Sequence, residues 1–126
     1  MKNFLIIYFL LLACNSQSFL ISSSYQDWVG GLKESGSGTN FNFKIVAPAS
    51  QSNFSIETVY AHERLLRFNV LPKSFERGDT LIISGYKSEQ NWQSEGLSAK
   101  IEYLLNDRLN SIAINEMTKL EKLYYP

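Results

Sequence analysis

His62 is the only histidine in the chain and Cys14 the only cysteine, so little side-chain chemistry is open to it. A protein zinc site is usually four-coordinate. His62-Glu63 lacks the second histidine of an HExxH helix, and no clustered carboxylates make up the remainder. A serine hydrolase has only His62 as base, and the strained Gly-x-Ser-x-Gly elbow occurs nowhere. Asp27, Glu34, Asp79, Glu95 and Glu102 are carboxylates from which a sugar-cleaving pair can be drawn, but 12 acidic residues offer many such pairs by chance. Gly36-Ser37-Gly38 resembles a phosphate-cradling loop in spacing alone. It lacks a third glycine, a following Lys-Ser or Lys-Thr, and a helix. A tight loop is the better reading, and Arg77-Gly78-Asp79 reads in the same way as a turn into the next strand. No catalytic residue, metal or cofactor is expected, and the chain is read as non-enzymatic.

Non-covalent chemistry remains. Trp28, Trp92, Tyr86 and Tyr25 have flat faces on which sugar rings stack, and Asn40, Asn42 and Asn91 carry amides that bond hydroxyls. Trp28 lies in an apolar strand and is expected to pack in the core. Trp92 lies in the polar stretch 87–95 and is expected at the surface, so Trp92, Tyr86 and Asn91 form the candidate ligand site. The leading expectation is a protein-interaction module that pairs a partner with a free strand edge. Carbohydrate binding by the exposed aromatics is the alternative.

Strands must position most of these residues, while the polar stretch 87–95 that holds Asn91 and Trp92 reads as a long connection. Phe41, Phe43 and Ile45 alternate with Asn42 and Lys44, the period-2 pattern of a half-buried strand. The same alternation runs through Phe54, Ile56, Thr58 and Tyr60, then Leu66, Phe68 and Val70, and later Leu97, Ala99, Ile101 and Tyr103. Thr80 to Ser84 is the most strand-like run, and residues 25–31 form a first strand stopped by Gly30-Gly31. Residues 33–40 are dense in turn formers and predict a loop. Asn106-Asp107-Arg108 predicts a hairpin turn. Met117, Leu120 and Tyr124 have the spacing of a short helix face, which leaves the tail open between helix and extended chain. About seven short strands without a long helix predict an all-β, antiparallel immunoglobulin-like sandwich, with a small closed barrel as the alternative. Phe43, Ile45, Phe68, Leu81, Ile83 and Ile101 are its expected core.

The N-terminus sets the location. Lys2 precedes the unbroken apolar run 4–12, the length of a signal-peptide core and too short to cross a bilayer as a helix. Leu11-Leu12-Ala13-Cys14 resembles the lipobox of bacterial lipoproteins. That resemblance implies a diacylglyceryl group on the Cys14 thiol and cleavage before it, anchoring the chain in a membrane. Expected boundaries are a signal over 1–13, a Ser-rich tether over 14–24 and one sandwich domain over 25–126. By the same resemblance to lipoproteins, the absence of an acidic cluster after Cys14 implies the periplasmic face of the outer membrane rather than the cell surface. Losing Lys2 turns a net charge of +0, from 12 basic and 12 acidic residues, into −1. That balance offers no basic face for nucleic acid and no polybasic patch for anionic lipid. With Cys14 acylated, no thiol is left for a disulfide.

Trp28-Val29-Gly30-Gly31, Gly36-Ser37-Gly38-Thr39-Asn40, Arg77-Gly78-Asp79-Thr80-Leu81 and the closing Tyr125-Pro126 together resemble a family of small lipoproteins of flavobacteria and other Bacteroidota. The resemblance spans most of the mature chain. It implies an envelope lipoprotein with an all-β domain, and its motifs are turns and strand starts that transfer no catalytic residue.

Overall fold

The structure, a computed structural model, describes residues 19–31, 36–87 and 97–124. The signal, Cys14 and the following residues to 18, Asn91 and Trp92 lie outside them. Among the described residues the chain is all strand: β1 (Leu20–Val29), β2 (Ser37–Val46), β3 (Phe54–Ala61), β4 (Arg64–Leu65), β5 (Arg67–Leu71), β6 (Thr80–Lys87), β7 (Ala99–Leu105), β8 (Arg108–Ile114), β9 (Thr118–Lys119) and β10 (Leu123–Tyr124).

The larger sheet has the order β10-β1-β2-β6-β5, with β9 also beside β1, and the smaller has β4-β3-β7-β8. Taking only the seven longer strands, the first, second, fifth and fourth form one layer and the third, sixth and seventh the other. That is the strand order of an immunoglobulin-like sandwich, with β4 as a short addition beside β3.

Alternation decides which side of each strand is inside. Phe41, Phe43 and Ile45 of β2, Leu81 and Ile83 of β6, Val59 of β3, Ile101 of β7 and Ile112 of β8 are essentially inaccessible. Five of the six expected core residues are fully buried, and Phe68 packs partly buried at the margin because β5 ends the sheet. β3 departs from strict alternation. A register shift between Ile56 and Thr58 puts Phe54 inside at one end and Val59 and Ala61 inside at the other. A bulge adds one residue to a strand and so exchanges its faces.

Two expected boundaries are corrected, and the tail left open by its spacing is decided. Residues 37–40 are strand, because pairing with β1 and β6 outweighs their turn-forming composition. Leu20 to Ser24 belong to β1 and not to a tether. They pair with β2, and Phe19 just before them packs edge-on against Phe54 and Tyr103. The tail is extended, not helical. Met117 is buried and its N–H donates to Leu97, the Leu120 N–H donates to Tyr25, and β9 and β10 run parallel to β1. An uncovered strand edge leaves backbone groups unpaired, and the tail supplies their partners on β1.

Candidate functional site

The outward positions of the larger sheet follow from its core positions. With Tyr25 and Asp27 inside, Ser24, Gln26 and Trp28 of β1 point outward. So do Gly38, Asn40, Asn42 and Lys44 of β2, Ile82, Ser84 and Tyr86 of β6, and Arg67, Asn69 and Leu71 of β5. Register then lines them up in rows. Gln26, Asn40, Tyr86 and Arg67 form one, and Ser24, Asn42, Ser84 and Asn69 the next.

Above the first row stands an aromatic pair. Trp28 and Tyr86 stack with ring centroids 6.4 Å apart and planes 27° from parallel. Their strands are separated by β2, and Gly38 makes the approach possible. A Cβ there would lie 2.8 Å from the Lys87 carbonyl oxygen and 3.0 Å from both Trp28 Nε1 and Tyr86 Cε2. Glycine is needed here for space, whereas at Gly36 it is needed for a φ of +74°. Tyr86 remains 43% exposed, enough to offer a ring face to a ligand. Leu65, Arg67, Tyr86 and Lys87 line a recess of about 390 Å³ beside it.

Of the expected ligand residues, Tyr86 is therefore at the surface, while Trp92 and Asn91 lie outside the described residues. Tyr25 is buried and stacked on Phe41, so it offers no face to a ligand. Trp28, expected in the core, is half-buried on the outer face. Asn69, Gln26 and Arg67 also belong to this face and were not singled out by spacing. Their only sequence signal was the polar phase of an alternating strand, which every exposed sheet face shares.

The catalytic candidates are scattered. His62 and Glu63 form the two-residue turn between β3 and β4, with φ of +49° and +66°. Asp79 is committed to the Arg77-Gly78-Asp79 turn, where its carboxylate accepts the Glu76 N–H at 2.9 Å. Asp27 faces inward from the larger sheet and Glu102 outward from the smaller, with the core between them. Thr58 donates to Glu102 at 2.6 Å and, with Lys100 nearby, holds its carboxyl below the ordinary range against a smaller opposing effect of desolvation. Glu34 and Glu95 lie outside the described residues. Among the described residues no three His, Cys, Asp or Glu side chains converge on a point where a metal ion would sit.

A second recess, about 370 Å³, opens between the margins of the two sheets. Phe54, Ile56, Phe68, Val70 and Phe75 make it apolar. Among the described residues β5 has no strand neighbour on this side.

Fold and outer face together define an immunoglobulin-like β-sandwich with an aromatic and amide-lined face on its larger sheet. No protein-family model matches the chain, and no curated protein or solved structure is significantly similar to it.

Proposed function

We propose that this protein is a lipid-anchored, non-catalytic binding module of the bacterial envelope, and that it holds carbohydrate on the outer face of its larger sheet. The observation that carries the reading is the Trp28–Tyr86 stack beside Asn40 and Asn42. Sugar recognition needs both halves of that arrangement: apolar ring faces for the C–H side of the sugar, and fixed amides for its hydroxyls. The lipobox-like Leu11-Leu12-Ala13-Cys14 supports attachment through Cys14, on the periplasmic side of the outer membrane.

The layout suits that role. Leu20, the first residue of β1, is on the side of the anchor, and Trp28 lies roughly 26 Å further along the strand at about 3.3 Å per residue. The aromatic end of the face thus lies at the far end of β1 from Leu20. Anchoring also concentrates the domain near other envelope components, so a modest affinity suffices.

A glycan array probed with the full chain tests this. Retention of a defined sugar class by the wild type, lost in Tyr86→Ala, is the expected result. A silent array, or retention untouched by Tyr86→Ala and Trp28→Ala, overturns it. A second reading, a protein partner adding a strand to β5, is favoured by the apolar recess beside that edge. Protein crosslinks from a photoreactive residue at Asn69, together with a silent array, select it.

A further inference from the structure

We infer that the ligand of this face is an acidic oligosaccharide, one whose successive sugars carry carboxylates. The inference rests on the carbohydrate reading above and names the substrate class. Its basis is the charge of the outward positions. Across β1, β2, β5 and β6 those positions hold two charged side chains, Lys44 and Arg67, and both are cationic. The acid of these strands, Asp27, points inward and accepts the Thr39 hydroxyl. Charges of both signs return only in the tail beside β1, where Gln26 donates to the Glu121 carbonyl oxygen. A sheet face built only for solubility mixes both signs, so four adjacent strands with cations alone have a preference built in.

The placement of the cations says more. Arg67 is the direct cross-strand neighbour of Tyr86, so a sugar stacked on the phenol ring brings its substituents within reach of the guanidinium. Lys87 lines the same recess, with Nζ 3.4 Å from the Leu65 carbonyl oxygen. A planar guanidinium binds a carboxylate through two parallel hydrogen bonds, which fixes the orientation of the ring that bears it. Lys44 lies two strands away and nearer the other end, in the row of Ile82 and Leu71. Strand spacing and rise put its backbone about 16 Å from that of Arg67. Cations standing on separate strands and separate rows do not form one compact anion site. They match charges repeated along a chain that lies over Asn42 and Asn40.

Titration calorimetry on the purified full chain, with two probes of equal length and linkage, tests this. The probes are a β-1,4-linked glucuronic acid hexamer and its neutral counterpart, cellohexaose. At low salt the acidic hexamer is expected to bind roughly tenfold tighter, the worth of two exposed ion pairs, and the advantage should shrink at high salt. Arg67→Gln with Lys44→Gln should remove the preference, so that the same variant binds the acidic hexamer and cellohexaose about equally, and Arg67→Lys with Lys44→Arg should retain most of it. Equal affinity for both probes, or a preference that survives the double glutamine variant, overturns the acidic assignment while the carbohydrate reading stands. Failure of both probes, together with a silent array, overturns both.

Discussion

The Thr39 hydroxyl donates to Asp27 Oδ1 at 2.6 Å, between residues that face each other across β1 and β2. Both side chains are buried in a layer that is otherwise apolar. A carboxylate withdrawn from water is tolerated when it is hydrogen-bonded, and the bond holds the phase of β1: Asp27 inside, Trp28 outside. Thr39→Val keeps the shape and removes the donor, so it should lower stability by about 1–3 kcal/mol. The denaturant midpoint reads this directly, and an unchanged midpoint would show that the hydroxyl is dispensable.

Gly36, just before β2, and Gly38, within it, should fail differently. Gly36→Val meets open space but a φ of +74°, and should cost about 1–2 kcal/mol with the surface aromatics undisturbed. Gly38→Val meets backbone oxygen at 2.8 Å and the edges of both rings, so it should also displace Trp28 from Tyr86. Near-ultraviolet circular dichroism distinguishes them, with a changed aromatic band expected only for Gly38→Val.

The turn at His62-Glu63 contains a stabilising substitution. Both residues have positive φ, as a two-residue hairpin with the twist of its strands requires, yet Glu63 lacks the local side-chain compensation of Asn or Asp. Asn106-Asp107 fills the corresponding positions between β7 and β8 with favoured residues. Glu63→Gly should therefore raise stability by about 1 kcal/mol, seen as a higher melting temperature. A fall would mean that the Glu63 side chain contributes more than its backbone strain removes.

Glu102 supplies a pH dependence of known sign. Thr58 donation, with help from Lys100, lowers its folded pKa below 4.5, so the contribution is present above the unfolded value and is lost as pH falls through the folded one. Thr58→Val should return the Glu102 titration, followed by carboxyl NMR, toward 4.5. If the curve does not move, the hydroxyl is not what holds the carboxylate.

Anchoring is tested at Cys14. Cys14→Ser should leave an uncleaved or soluble protein that no longer partitions into detergent. Equal labelling of wild type and variant by an alkyne fatty acid would rule out this thiol as the lipid site.

Period 2 by itself determines most of the architecture. Phe41 and Phe43 of β2 and Ile101 of β7 each have a polar neighbour on both sides, and only a half-buried strand satisfies both, so Phe43 and Ile101 declared the core directly. The turns at Gly78 and Asn106 were equally legible, because left-handed backbone restricts residue choice locally. What depended on distant partners was not. The Ser-rich start of β1 and the glycine-rich start of β2 have weak strand propensity by themselves and are strands because each pairs with the far end of the other, Ser22 to Ser24 with Asn42 to Lys44 and Ser37 to Asn40 with Gln26 to Val29. The tail has helical spacing, but the open edge of β1 binds it in extended form. The β3 bulge exchanges faces midway, which a pattern read from one strand cannot register. The outer face of the larger sheet is the extreme case. Trp28, Gly38 and Tyr86 come from three strands and become one surface only through the register of β1 on β2 and β2 on β6. Residue types showed that sugar-stacking rings were present, but register is set by the burial of the opposite face, and it was the packed core that brought two of them together.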